Sequence, residues 1–355
     1  MSVAENFKFS GLLVKAAEMN VSDLHLSAGS TVKARIDGEL VDWNETMVNQ
    51  EMIEKNLFSI LSDAQKNEFE KQGSLLWTFG FADNLRFRVQ LFKQEGKPTA
   101  ILRYIPKHIK SITELCLPQI LNLLAGLERG LIIISGTNGA GKTTTAMVLL
   151  EIINNQYNKS IVTIERPLEY LLTNKKSLIE QREVGVDVAS FAQASHDLLL
   201  ADADVIFCNR IDDEATAANL LELAEKSLVI LELGSQDVLD SLSDFLAFFP
   251  AINKHEKRQI FSRNLITILN QVLIKRRNGG RLPALEIMLN NNAVAAAIAD
   301  DRASRIPDII IMSGHEGMIS RERSLAELVK SGEVLMDEAM KYARNKDDFK
   351  EMIMK

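Results

Sequence analysis

Apolar residues at Leu12, Leu13, Ala16, Ala17 and Met19 recur at helical spacing within Phe7 to Met19, which predicts an opening amphipathic helix that Asn20 would end. From Val21 to Val41 the period shortens to two. Leu24 and Leu26 share one face, and Val32, Ala34 and Ile36 follow before Asp37-Gly38, a pair suited to a tight hairpin turn. After a helix-like middle, Leu85, Phe87, Val89 and Leu91 interleave with Arg86, Arg88 and Gln90, and Ala100 to Ile105 offers a partner strand. The opening part of the chain therefore reads as a small α+β domain.

Pro106 stands among Lys107, His108 and Lys110, between two patterns that look folded. The boundary is expected there, with a first domain over 1–106, a linker over 107–112 and a second domain over 113–355. In the second domain Leu131 to Ser135 is an unbroken buried-strand run, a Gly-rich turn follows, and Thr143 to Asn154 has helical character. Ile161 to Ile164, Val205 to Cys208 and Leu228 to Leu231 are three more buried-strand candidates, so an α/β domain with a parallel sheet is expected. Beyond Asn253, the residues Ile260, Phe261, Leu265, Ile268, Leu269, Val272 and Leu273 follow helical spacing, and the stretch is expected to be helical.

Composition narrows the function classes. The chain has 355 residues, room for two to three domains, and 41 Lys plus Arg against 48 Asp plus Glu give a net charge of −7. That balance argues against a general nucleic-acid binder, and Lys275-Arg276-Arg277 is read as cations favoured at a helix C-terminus. Two cysteines, Cys116 and Cys208, cannot build a disulfide framework, which fits a reducing cytoplasm. The five histidines, His25, His108, His196, His255 and His315, are too dispersed for a metal cage. Glu5, Lys8, Lys15 and Glu18 interrupt any signal-peptide core, and no apolar run approaches the ~18 residues that cross a bilayer, so no direct membrane insertion is expected.

The candidate chemistry begins at Gly136. The segment Gly136-Thr137-Asn138-Gly139-Ala140-Gly141-Lys142-Thr143 fits G-x-x-x-x-G-K-[ST] and lies between an apolar strand and a helix, the context such a phosphate-binding loop needs. Its glycines let amides turn toward phosphate oxygens, Lys142 neutralises the β and γ oxygens, and the Thr143 hydroxyl can ligand Mg²⁺. Thr144 completes the binding set. The competing reading is a Gly-rich turn ahead of a helix. Binding is also not hydrolysis, because in-line attack needs a group that orients water and further charge neutralisation, often an arginine supplied by a neighbour.

Several strings then resemble the PilT/PilU branch of the type II and type IV secretion ATPases. Ser22-Asp23-Leu24-His25-Leu26-Ser27, the phosphate loop, Thr163-Ile164-Glu165-Arg166-Pro167-Leu168-Glu169, Gln181-Arg182-Glu183-Val184-Gly185 and Ala284 to Asn290 are colinear with that family's motifs. The resemblance implies a RecA-like P-loop NTPase domain preceded by a small PAS-like α+β domain, in a six-membered ring with ATP or ADP between subunits. It also implies pilus retraction or twitching motility as the process served. By the same resemblance Glu165 and Glu169 are the retained catalytic positions. Arg86, Arg88 and Arg103 match the region from which arginines reach a neighbour's nucleotide, while a solvated face on an alternating strand remains open for Arg86 and Arg88.

The sequence departs from the family pattern at five elements, four of them in the catalytic motifs. Against a Walker B segment of the form D-V-I-L-V-G-E-M-R-D, the chain reads Asp204 to Asp213 with Arg210 at the catalytic glutamate position. An arginine stays protonated and can neither accept a proton from water nor hold a metal-bound water. Arg166 replaces the aspartate of T-I-E-D-P-x-E, and Glu232-Leu233-Gly234-Ser235 stands at T-L-H-T, so Gly234 replaces the histidine. Ala194 to Leu200 stands at the A-L-R-x-x-L-R helix without its arginines. The C-terminal A-I-R-N-L-I motif reads Ala293 to Ile298 without its Arg-Asn centre. Losses of a general base cost about 10² to 10⁴ each and can act together, so weak or absent hydrolysis is expected.

Three functions follow as expectations. One is a regulatory or scaffolding nucleotide-binding subunit, in a homo-hexamer or in a mixed ring with an intact motor paralogue. It would sit in the cytoplasm against an inner-membrane pilus platform protein. The second is a working motor in which Glu165 or Asp212 replaces the missing base. The third is an adaptor that no longer needs nucleotide.

Overall fold

The computed structural model describes residues 3–19, 21–81 and 85–354, so Asn20 lies outside the described residues. The chain divides into two compact units. One comprises 1–108 with 167–171, and the other 109–166 with 172–355.

The first unit opens with α1 (Val3–Glu18), followed by β1 (Asp23–Ser27), β2 (Thr31–Ile36) and β3 (Glu39–Met47). Asp37 and Gly38 both have positive φ, 50° and 91°, which gives the β2–β3 hairpin a turn whose twist suits the strands. Helices α2 (Gln50–Leu57) and α3 (Asp63–Gln72) precede β4 (Ser74–Phe81), β5 (Leu85–Gln94) and β6 (Lys97–Ile105). Ser62 and Gln65 form a reciprocal capping box at α3, and Gly73 in the left-handed region ends that helix. The strands form one antiparallel sheet in the order β3-β2-β1-β6-β5-β4. Leu24, Leu26, Val32, Ala34, Phe87, Val89 and Leu102 of the sheet bury against Leu12, Leu13 and Ala16 of α1 and Ile53 and Leu57 of α2.

The second unit is built on a seven-stranded sheet. After α4 (Ile120–Ala125) come β7 (Gly130–Ser135), α5 (Lys142–Gln156), β8 (Ser160–Glu165), β9 (Leu178–Glu183), α6 (Phe191–Leu199) and β10 (Val205–Cys208). Then follow α7 (Glu214–Leu223), β11 (Leu228–Leu233), α8 (Val238–Ala247), α9 (Ala251–Asn264), β12 (Leu265–Lys275) and β13 (Arg281–Leu289). Strand order is β13-β12-β7-β11-β10-β8-β9, parallel except for the β12–β13 pair. Every residue of β7, β10 and β11 is buried, as expected of parallel strands covered on both faces. Small helices α10 (Asn292–Ala299), α11 (Ile306–Met312), α12 (Arg321–Lys330), α13 (Met336–Met340) and α14 (Lys346–Met354) complete the unit.

One expectation is corrected here. The helix reading after Asn253 holds only to Asn264, because 265–275 is a strand lying between β7 and β13. An apolar run buried on both faces has no period that separates strand from helix, and β12 is such a run. Lys275-Arg276-Arg277 therefore ends a strand and not a helix, and Arg276 pairs with Glu333 at 2.6 Å. Among the described residues, no helix is long and apolar enough to cross a membrane.

Candidate functional site

The C-terminal ends of β7, β11, β10 and β8 lie side by side, the edge at which parallel α/β sheets bind ligands. Gly136 leaves β7 with φ 150°, Gly139 and Gly141 have φ 78° and 89°, and α5 begins at Lys142. A neighbouring strand makes two of these glycines necessary. An added Cβ would lie 2.4 Å from the Gln271 main-chain oxygen at Gly136, and 2.7 Å from Gln271 Nε2 at Gly141.

Gln271 of β12 also fixes the loop. Its Nε2 donates to the Ala140 oxygen at 2.7 Å, and its Oε1 accepts from Thr145 Oγ1 at 2.8 Å. Lys142 Nζ folds over the loop and donates to the Gly136 and Thr137 oxygens at 2.8 and 3.2 Å. Thr137, Asn138 and Gly139 are exposed, and Thr143 and Thr144 are half-buried at the start of α5. The glycine-lined turn, the helix N-terminus, the lysine and the hydroxyl together fit a phosphate chain with an attached Mg²⁺.

Thr143 Oγ1 donates to Glu232 Oε2 at 3.1 Å. Glu232 is the fifth residue of β11, paired with Ile134 of β7, and is 6% exposed. Glu165 ends β8 fully buried, accepting from Thr163 Oγ1 at 2.7 Å and from Gln181 Nε2 at 3.3 Å. Cys208 is level with both Leu231 and Ile164, so Glu232 and Glu165 flank Asn209 on the next rung. Burial pushes the Cys208 thiol up to about 12 against the hydrogen bond to the Arg210 oxygen, and Glu232, Asp212 and Glu165 add to the rise.

A polar chain runs back from this edge. Asn270 of β12 donates to Ser135 Oγ at 2.9 Å and to the Ser235 oxygen at 3.2 Å, and accepts from Arg321 of α12. Arg321 also donates to the Gln236 oxygen at 2.7 Å and lies 3.8 Å from Glu286, which Arg344 holds at 2.7 Å. Burial raises the Glu286 carboxyl above its ordinary range even though Arg344 and Arg321 pull it down.

Residues 9–241 match the type II/IV secretion system protein family. The chain belongs to that family. It is 31% identical to the type IV pilus retraction ATPase PilT of Pseudomonas aeruginosa over 95% of its own length and 98% of the relative's. It is 28% identical to the type IV pilus ATPase PilU of the same organism, over 98% and 91%. A crystal structure of the pilus retraction motor PilT with bound ADP superimposes with a TM-score of 0.82 at 30% identity, covering 96% of this chain and 98% of that one. The second unit is thus the RecA-like P-loop domain of a secretion ATPase, with the small α+β domain ahead of it.

Within this family frame, the departures have definite places. Arg210 lies in the loop after β10 with its side chain 61% exposed and ion-paired to Asp212. Both lie in the loop beyond the strand. Asp213 is used as the N-cap of α7, accepting from the Thr216 amide and hydroxyl at 2.7 Å each. Neither aspartate is left as a ready substitute base. Arg166 is exposed, and its amide donates to Asn209 Oδ1 at 3.1 Å. Gly234 is exposed with nothing near an added Cβ, so the site does not exclude a histidine sterically. Asp197 of α6 accepts from Arg182 at 3.0 Å and Gln193 at 2.7 Å, which hold it below the usual carboxylate range.

The remaining candidates belong to the first unit. Arg88 pairs with Glu169, and Arg86 Nη2 donates to Thr78 Oγ1 at 2.8 Å and to the Leu168 oxygen at 2.7 Å. Arg103 holds Asp23 through two contacts of 2.8 and 3.3 Å. Glu232, Asn270 and Gln271 belong to none of the candidate site residues that the motifs single out. The signals were present as polar residues inside apolar runs, at Glu232 in Leu228 to Leu233 and at Asn270-Gln271 in Leu265 to Ile274.

Proposed function

We propose that this chain is a nucleotide-binding subunit of a type IV pilus retraction-type motor, impaired in hydrolysis and serving a regulatory or scaffolding role. The direction comes from relatives described as a pilus retraction ATPase and as a retraction motor with bound ADP. The observation that carries the reading is a complete phosphate cradle whose neighbouring catalytic position holds Arg210, exposed and tied to Asp212. ATP or ADP with Mg²⁺ is the ligand. Lys142 and the loop amides would hold the phosphates, Thr143 would face the metal, and the metal would neutralise charge between the β and γ oxygens. The subunit acts in a homo-hexamer or in a mixed ring with an intact motor paralogue, peripheral to the inner membrane at a pilus platform protein.

Equilibrium binding of ADP and ATP to the wild type and to Lys142→Ala, with phosphate release by the chain alone and mixed with an intact motor, tests this. Binding that weakens strongly in the variant, with turnover appearing only in the mixture, is expected. Brisk release by the chain alone would support the other reading, a working motor using a displaced carboxylate. Buried Glu165 favours that reading more than the ion-paired Asp212 does.

A further inference from the structure

We infer that Glu232 is the metal-side carboxylate of this site, holding Mg²⁺ together with the Thr143 hydroxyl in place of the carboxylate normally supplied by the strand at Arg210. The inference rests on the nucleotide-binding reading and adds to it the residue that makes binding metal-dependent. Phosphate-loop NTPases hold Mg²⁺ between the loop's Ser or Thr and a carboxylate from a strand beside the loop. In this chain β10 ends at Cys208 and is followed by Asn209 and Arg210, and neither can supply an anionic oxygen. β11 lies between β10 and β7, and its Glu232 reaches the loop hydroxyl directly.

Three observations converge on that residue. Glu232 is a carboxylate within a strand that is otherwise wholly Leu, Val and Ile, and it is 6% exposed at the end of the strand beside the loop. Its Oε2 is 3.1 Å from Thr143 Oγ1, close to the edge of about 3 Å between adjacent oxygens of an octahedral Mg²⁺ with bonds of about 2.1 Å. Cys208 is level with Leu231 and Ile164, so Glu232 and Glu165 each stand one residue beyond it on the two neighbouring strands, which brings two carboxylates to the rung where β10 ends. Arg210 cannot take this place, because its guanidinium offers only N–H donors and no lone pair for a metal ion.

The test is the metal dependence of nucleotide affinity, read with a fluorescent ADP and with ATP in Mg²⁺ and in EDTA. In the wild type, Mg²⁺ is expected to tighten ATP binding by about tenfold or more, and in Glu232→Gln that gain is expected to fall to about twofold or less. Binding in EDTA should persist in the variant and be no weaker than in the wild type, since the change removes a negative charge beside the phosphates, and it also shows that the loop is folded. Glu232→Asp, which keeps the charge, should recover part of the Mg²⁺ gain. An undiminished gain in Glu232→Gln, with ATP still bound, overturns the inference while leaving the nucleotide-binding reading intact. A larger gain would also overturn it, because Glu232 would then be competing with the metal for Thr143. Loss of binding in EDTA by both variants would make Glu232 a structural residue and reject the inference. A wild type that binds no nucleotide in either medium removes the underlying reading itself.

Discussion

The Gln271 main-chain oxygen lies 2.4 Å from where a Cβ on Gly136 would stand, and Gly136 has φ 150°. The strand beside the phosphate loop thus dictates a glycine at the loop's first position. Gly136→Ala combines backbone strain with overpacking and is expected to cost about 2–5 kcal/mol, seen as a lower urea midpoint at unchanged slope. At Gly139, φ is 78° but an added Cβ meets nothing within 4 Å. Its alanine variant should therefore lose only the backbone part, about 1–2 kcal/mol. Equal losses at the two positions would show that β12 yields readily.

Arg321 connects α12 to the phosphate-loop strand through Asn270 and Ser135. Its side chain is 8% exposed, and Arg321→Ala would strand the Asn270 and Gln236 oxygens and weaken the neutralisation of Glu286. A loss of about 3–5 kcal/mol is expected by chemical denaturation. The pH dependence has a definite sign. Glu286 already has a raised folded pKa from burial, so its favourable contribution is present below the ordinary carboxylate range and fades as pH rises through the folded value. Removing Arg321 raises that value further, so the variant's deficit should be larger at neutral than at mildly acidic pH. A deficit independent of pH would place the loss in packing alone.

Arg210 and Asp212 form an exposed pair. Such pairs contribute little, so Arg210→Ala should change stability by no more than about 0.5 kcal/mol. Nucleotide affinity should stay within about twofold, since the loop contacts of Lys142 and Thr143 do not involve Arg210. Calorimetric binding measures this, and a tenfold loss would give Arg210 a part in holding the ligand.

Asp23 is buried against Arg103. Burial tends to raise its pKa, but the Arg103 hydrogen bond and charge, with the Ser22 hydroxyl, outweigh burial and hold it below the ordinary value of 3.8. A depressed folded pKa contributes stability that is complete above the unfolded value and is lost as pH falls through the folded one. Asp23→Asn should therefore destabilise the first unit at neutral pH and flatten its acid unfolding below about pH 4. Both tryptophans, Trp43 and Trp77, lie in that unit, so intrinsic fluorescence reports its unfolding selectively. An acid transition of unchanged shape would remove Asp23 from its causes.

Much of the architecture could be read from local pattern. Period-two alternation marked Leu85 to Leu91, the Asp37-Gly38 turn marked its hairpin, and unbroken apolar runs marked β7, β10 and β11. The phosphate loop was visible because its chemistry is contiguous. What pattern could not give was pairing between distant segments. Strand β12 looked helical because burial on both faces erases the period, and with it went the placement of Asn270 and Gln271 beside the loop. Glu232 looked like a drifted motif position until the β11–β7 pairing brought it to Thr143. Residues 167–171 group with the first unit although they follow β8 in sequence, a relationship no linear boundary can express.

The most direct test of the account is a single-turnover experiment on the purified full chain. Labelled ATP and Mg²⁺ are bound below stoichiometry, the free nucleotide is removed, and the label on the protein is identified over time alongside Lys142→Ala. The chain is expected to retain the label as ATP for many minutes while Lys142→Ala retains none. Conversion of the bound label to ADP within seconds, or no more retention by the wild type than by Lys142→Ala, would contradict it.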